Sequence, residues 1–172
     1  MPDDGYLGML TDAELIDINR DGFQDLIITG EWMGIEVLLN KKTHFEKDNS
    51  YFPPKINGAW NSITISDLDS DGDLDLIVGN QGWNNPYKVS KENPLLMKFA
   101  DFNQSGKNIP LIFAYNEGRY APIHLSNNFL NQLQYNKKVF RNYNLYATGC
   151  LNKILTPEEQ NLATTLEIHT FS

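Results

Sequence analysis

The sequence reads LIDINRDGFQDLII from Leu15 to Ile28 and ISDLDSDGDLDLIV from Ile65 to Val78. In each stretch an Asp/Gly-rich loop stands between two apolar segments, and a weaker third copy, FADFNQSGKNIPLIF, runs from Phe99 to Phe113. Short apolar segments around turn residues are typical of β-hairpins, and recurrence at this period is typical of repeat architectures. The chain is therefore predicted to be mainly β and built from about three repeated units.

The residues after the first copy predict a second hairpin. Ile35–Asn40 is apolar, Lys41 and Lys42 form a turn, and Thr43–Glu46 begins another strand. An inner hairpin followed by an outer one makes a four-stranded propeller blade. We therefore predict a partial β-propeller of about three blade units, with an Asp/Gly-rich loop in each unit. In the second copy the equivalent region is less regular, and Trp83–Tyr87 is predicted to be a loop.

The last third of the chain has a different pattern. From about Leu125 onward apolar residues recur at helical spacing. Thr156-Pro157-Glu158-Glu159 is a typical helix start, with a capping Thr, a Pro in the first turn and a Glu three residues on. Residues 165–171 alternate and predict a strand. The predicted division is blade units over 1–124, a helical insert over 125–163 and a returning strand over 164–172.

The loops have the oxygen pattern of a calcium site. Calcium takes six to eight oxygen ligands, and a short loop supplies them when carboxylates or amides alternate and a glycine allows the chain to turn. Gly22 and Gly72 stand at the sixth position. Position 7 contributes a backbone carbonyl. The predicted ligands are Asp17, Asn19, Asp21, Phe23 and Asp25 in the first loop, and Asp67, Asp69, Asp71, Asp73 and Asp75 in the second.

Other interpretations of the loops are weaker. An EF-hand needs a Glu at position 12 and flanking helices, but position 12 is Ile28 or Val78. A dockerin-like module continues into a helix, whereas β-branched residues follow here. Turns that bind nothing are the plainest alternative, since Asp, Asn and Gly form turns anyway, and magnesium remains an option.

The third loop, from Asp101, has Ser105 and Ile109 at positions 5 and 9. It is predicted to keep the turn and to bind calcium weakly or not at all.

These loops resemble the FG-GAP/VCBS repeat family, the calcium-loop blades of integrin α-chain heads and of many bacterial secreted proteins. The most specific feature is Asp-x-Asx-x-Asp-Gly-x-x-Asp followed by Leu-Ile. Gly8–Ala13, Gly30–Met33 and Gly79–Gly82 also resemble a bacterial branch of large surface proteins, in which a helical insert like 122–160 interrupts a blade. The resemblance implies an exported, surface or secreted protein of about seven blades, of which this chain is a section, acting in adhesion, assembly or ligand binding.

Composition restricts the partners. With 14 basic and 22 acidic residues the net charge is −8, which disfavours nucleic acid and anionic membranes. No apolar run is long enough to span a bilayer, and the first residues lack the pattern of a signal peptide.

Cys150 is expected to be a small buried side chain. The single histidines 44, 124 and 169 share no metal-like spacing and are expected to be ordinary surface or core residues.

The functional prediction is a non-catalytic, calcium-binding propeller segment that contacts a protein or glycan. Trp32, Trp60 and Trp83 are expected to pack between blades; stacking on a sugar, beside Asn84, Asn85 and Tyr87, is the less favoured alternative. A competing prediction is a section of a calcium-dependent propeller enzyme that acts on polysaccharides or phosphoesters, with its catalytic residues outside this chain. A ring completed by several copies is a third possibility.

Overall fold

A computed structural model describes residues 8–82, 85–123 and 149–171 and shows a mainly β protein. The strands in these residues are β1 (Met9–Ile16), β2 (Asp25–Met33), β3 (Glu36–Asn40), β4 (Phe45–Asp48), β5 (Gly58–Ser66), β6 (Asp75–Asn80), β7 (Leu95–Ala100), β8 (Ile109–Asn116), β9 (Arg119–Pro122) and β10 (Thr164–Ile168). The helices are α1 (Leu151–Ile154) and α2 (Pro157–Leu162). Contacts divide the chain into two compact units, Met1–Pro86 with Ile168–Ser172, and Tyr87–Glu167.

Each of the three sequence copies forms an antiparallel hairpin, as predicted. The strand pairs are β1–β2, β5–β6 and β7–β8, and an Asp/Gly-rich loop closes each pair. The residues that face each other where the loop begins and ends are Ile16 and Asp25, Ser66 and Asp75, and Ala100 and Ile109. Each loop therefore contains eight residues, and the third copy keeps the register of the other two although its sequence has diverged.

The first copy is part of a four-stranded meander. β1 pairs with β2, β2 with β3, and β3 with β4, and each pair is antiparallel. In the predicted outer hairpin, β3–β4, Asn40 faces Phe45 and Val37 faces Asp48. This meander is one blade of the partial, propeller-like repeat domain that the sequence predicted.

The next hairpin follows directly in the same unit. β5 pairs with β6 and contacts the end of β2, and β6 is the last strand of this sheet. Both β1 and β5 contain a bulge, between Leu10 and Asp12 and between Trp60 and Ser62. The two bulges are fifty residues apart, so the repeat extends to the irregularities of the strands.

Two side chains of the β1 bulge tie the first hairpin to the second. The Thr11 hydroxyl donates a hydrogen bond to the Trp60 carbonyl oxygen at 2.9 Å. The Asp12 carboxylate accepts the backbone N–H of Ile63 at 2.9 Å and that of Ala13 at 2.9 Å. These bonds give hydrogen-bond partners to the Ala13 N–H and to backbone groups of β5, as the fold requires of main-chain polar groups that are shielded from water.

The core of the first unit lies on both faces of β2. Ile27 packs with Val37, Leu39 and Ile63 on one face, and Ile28 packs with Met33 and Leu38 on the other. Ile28 is fully buried and Ile27 is 2% exposed. A strand that is apolar on both faces is covered on both faces, so β2 is the central strand of this blade.

The second unit has its own sheet, in the order β10-β7-β8-β9. Its core contains Leu111 and Phe113 from β8 and Ile154 and Leu155 from the end of α1. The capping box of α2 is formed as predicted: the Thr156 hydroxyl accepts the Glu159 N–H, and the Glu159 carboxylate accepts the Thr156 N–H. Helix α2 is thereby fixed at its first turn.

The C-terminal strand is present as β10, and the chain then returns to the first unit. The His169 N–H donates to the Asn57 carbonyl oxygen at 2.7 Å, and Gly58 and Thr170 form a parallel bridge. Helices α1 and α2 lie inside the predicted insert over 125–163. Most of its earlier part, with the apolar residues at helical spacing from Leu125 to Phe140, lies outside the described residues, and the predicted boundaries at 124 and 163 stay predictions.

The contacts of Asp12 generate a pH prediction. Its hydrogen bonds to the N–H groups of Ile63 and Ala13 hold the pKa of its carboxyl below the usual value of 3.8. A lowered pKa stabilises the fold above the unfolded-state value, and this contribution is lost as the pH falls through the folded-state value. We expect the difference in unfolding free energy between the wild type and Asp12→Asn to be complete above about pH 5 and to shrink below about pH 4.

Urea denaturation between pH 7 and pH 3 measures this difference. Glu46→Gln is the control because Glu46 is exposed on β4, and it is expected to change the unfolding free energy by less than about 0.5 kcal/mol. A difference for Asp12→Asn that stays constant down to pH 3 would contradict the assignment.

Candidate metal centre

The three loops have left-handed residues at the same two positions. Position 4 is left-handed in each, and so is the glycine at position 6. A left-handed backbone conformation turns the chain sharply. Glycine adopts it without the steric cost that a Cβ atom brings, which explains the glycine at position 6. The φ angles are 60° at Arg20, 62° at Ser70 and 56° at Gln104, and 89° at Gly22, 92° at Gly72 and 81° at Gly106.

In the first loop the carboxylate of Asp17 organises the turn. Its two oxygens accept the backbone N–H groups of Asp21 at 2.9 Å and of Gly22 at 2.8 Å. The Asn19 side-chain oxygen also accepts the Asp21 N–H, and the Asp21 carboxylate accepts the Phe23 N–H at 2.9 Å. The side chains at positions 1, 3 and 5 therefore turn inward toward the same stretch of backbone.

The second loop brings three carboxylates together. Oxygens of Asp67, Asp69 and Asp71 all lie within 4.8 Å of one another. Two oxygens that share a calcium ion at 2.3–2.6 Å are at most about 5 Å apart, so the spacing fits one ion among them. Among the described residues, the Asp67 Oδ1 atom is buried without a hydrogen-bond partner. An inaccessible anionic oxygen needs a compensating partner, and a cation in this loop supplies one.

The Asp at position 9 has a structural role that the sequence did not indicate. Asp25 is fully buried, and its two oxygens accept the N–H groups of Ile18 at 3.1 Å and of Asn40 at 2.7 Å. It thus joins the loop to β3. Asp75 is half-buried and accepts the N–H of Leu68 at 2.9 Å. Position 9 therefore closes the loop in both copies, in addition to its predicted role as a ligand.

The two predicted calcium loops are neighbours. The Arg20 guanidinium of the first loop forms an ion pair with the Asp73 carboxylate of the second, and both side chains are exposed. Because position 7 was predicted to contribute only its carbonyl, the Asp73 side chain is available for this pair. At the same position of the first loop, the ring of Phe23 lies 4.6 Å from the Lys42 ammonium. An exposed ion pair contributes about 0–1 kcal/mol, so this contact positions the loops more than it stabilises them.

The third loop keeps the turn without the full ligand set. Asp101 accepts the N–H groups of Ser105 at 2.8 Å and of Gly106 at 2.7 Å, as its counterpart does in the first loop. Position 9 is Ile109, which is buried in the core of the second unit. The predicted turn is confirmed, and the weak or absent binding of calcium stays a prediction.

The aromatic and histidine residues considered from the sequence are ordinary where the structure describes them. Trp32 and Trp60 are buried, and the Trp60 indole N–H donates to the Ile56 carbonyl oxygen. His44 is exposed and His169 is buried. Cys150 is half-buried rather than buried, because it stands at the N-cap of α1. Trp83, Asn84 and His124 lie outside the described residues.

The three hairpins share one register, and the same type of oxygen-rich loop closes each of them. In the first copy an outer hairpin follows. These are the features of a propeller-type repeat protein. Comparison with known families agrees, since residues 17–78 match the FG-GAP-like repeat. The match agrees with the FG-GAP-like repeat family that the resemblance implied. Neither the curated proteins nor the solved structures contain a significant match to the chain. The similarity to a bacterial branch with a helical insert stays a prediction.

Asp25 and Asp75 form a matched pair for separating structural roles from metal binding. With a chelator present, Asp25→Ala leaves the part-buried N–H groups of Ile18 and Asn40 without an acceptor, and each costs about 1–3 kcal/mol. We expect Asp25→Ala to lower the unfolding free energy by about 2–6 kcal/mol and Asp75→Ala by about 1 kcal/mol. Urea denaturation in chelator measures both, and equal losses would contradict the structural role of Asp25.

Proposed function

We propose that the chain is a calcium-binding section of a propeller-type protein, with one ion in the loop Asp17–Asp25 and a second in the loop Asp67–Asp75. The observation that carries the proposal is the cluster of Asp67, Asp69 and Asp71, whose oxygens have the spacing that one calcium ion requires. The first loop supports it because its left-handed residues stand at the same positions and Asn19 supplies an amide oxygen in place of a carboxylate.

The chemistry of the donors favours calcium. All predicted ligands are oxygens, which disfavours zinc and copper. Magnesium prefers to keep several waters and to use fewer protein ligands. Calcium would neutralise the repulsion among the carboxylates of the second loop and hold the loop in one conformation. The residues of this chain would supply the carboxylates at positions 1, 3, 5 and 9, the amide of Asn19, and a carbonyl from Phe23 or Asp73.

The wider role that we propose is contact with a protein or glycan by a secreted or surface protein, without catalysis. It rests on the FG-GAP-like repeat and on the resemblance described above. The competing enzyme would act on polysaccharides or phosphoesters through residues outside this chain, and no described feature favours it. Among the described residues no helix is long and apolar enough to cross a membrane. A screen of the complete protein for glycan binding and for glycan or phosphoester turnover separates the two roles.

Titration calorimetry with calcium tests the proposed sites. We expect two ions per wild-type chain and one in Asp71→Ala, because that substitution removes a ligand from the second loop. Calcium at one hundred times its dissociation constant should raise the unfolding free energy by about 2.7 kcal/mol per site, and chelator should remove this gain.

The matched control is Asp101→Ala, in the third loop. It is expected to leave two ions bound, although it removes the acceptor of the Ser105 and Gly106 N–H groups. The proposal is wrong if wild type binds no calcium, or if its unfolding curve is the same with calcium and with chelator.

A further inference from the structure

In the part of the chain that the structure describes, no strand lies beside the outer edge of β6. β6 ends the sheet, and among the described residues β5 is its only strand partner. β2, at the same place in the first copy, pairs with β1 on one edge and with the outer hairpin β3–β4 on the other. Within the described ranges 8–82, 85–123 and 149–171, the two copies therefore differ by one hairpin.

Burial shows what the missing hairpin would cover. Ile27 of β2 is 2% exposed and packs against Val37 and Leu39 of the outer hairpin, as well as against β5. Ile77, at the same position of β6, is 43% exposed. Asp25 is fully buried, and its counterpart Asp75 is half-buried. A strand edge with exposed apolar side chains is a site where another strand adds.

One hydrogen bond makes the comparison specific. In the first copy the backbone N–H of Asn40, at the end of β3, donates to Asp25 Oδ1 at 2.7 Å, while Asp25 Oδ2 accepts the Ile18 N–H. In the second copy Asp75 Oδ2 accepts the Leu68 N–H in the same way. Among the described residues no group donates a hydrogen bond to Asp75 Oδ1. Its counterpart in the first copy is Asp25 Oδ1, which accepts the N–H of Asn40 from β3.

We infer that the outer edge of β6 is a docking site for a partner polypeptide that presents an antiparallel β-hairpin with the chemistry of β3–β4. The first strand of this partner lies beside Leu76–Val78 as Glu36–Leu38 lies beside Leu26–Ile28. It places an apolar residue against Ile77, and it donates one backbone N–H to Asp75. The inference rests on the repeat and the open edge and requires no bound metal.

A peptide that copies the outer hairpin tests this inference. The probe is a fluorescently labelled peptide of residues 36–48, cyclised so that its two strands stay paired, because a free two-stranded hairpin is marginally stable. We expect saturable binding to the full chain by fluorescence anisotropy. The amides of Leu76–Val78 should become protected from hydrogen exchange when the peptide is added.

Two variants and one altered peptide show where the peptide binds. Ile77→Lys places a charge on the edge and is expected to weaken binding at least tenfold, while Leu162→Lys, at another exposed leucine, leaves it unchanged. Both variants should keep the wild-type circular dichroism spectrum, since both positions are exposed. In the peptide, Asn40→Pro removes the N–H that would meet Asp75 and should also weaken binding at least tenfold.

Three results would overturn the inference. The first is no binding of the peptide by wild type. The second is binding that Ile77→Lys leaves unchanged, because the peptide would then occupy another edge. The third is a wild-type dimer that Ile77→Lys dissociates, because the occupant of the edge would then be the β6 strand of a second copy and not a hairpin.

Discussion

The first carboxylate of each loop is the interaction on which the repeat depends. Asp17 and Asp101 each accept the N–H groups of the residues four and five positions ahead, and Asp67 accepts that of Gly72. These bonds bring the chain back on itself within eight residues and set the register of the hairpin. Register in turn decides which face of a strand is buried. Because the bonds of Asp17 fix where β2 begins, Ile27 lies in the core on one face of this strand and Ile28 in the core on the other.

The same loops combine a structural function and a proposed binding function in different side chains. Asp17 and Asp25 hold backbone N–H groups, and Asp25 is buried so that it also connects the loop to the outer hairpin. Asp69 and Asp71 are exposed. The third loop separates the two functions, because it retains the turn with Asp101 while Ile109 packs in a core at position 9. A loop of this type can therefore lose the carboxylates at positions 5 and 9 and still form a hairpin.

The sequence predicted those parts of the fold that local chemistry determines. The three hairpins, the outer hairpin β3–β4 and the capping box of α2 follow from turn residues, alternation and short-range hydrogen bonds. Contacts between distant residues were not predictable in this way. The ion pair of Arg20 with Asp73 and the bonds of Thr11 and Asp12 to β5 depend on how neighbouring hairpins lie. The open edge of β6 became apparent only when its burial was compared with that of β2.

The central claim is that the repeated loops are shaped to hold calcium, and a crystal structure grown with calcium tests it most directly through the anomalous signal of the ion. The account predicts a peak in the loop Asp17–Asp25 and another in the loop Asp67–Asp75, each with six to eight oxygen ligands at about 2.3–2.6 Å, and none in the loop that begins at Asp101. Water alone in the first two loops, at a calcium concentration that saturates the protein's calorimetric response, would contradict it.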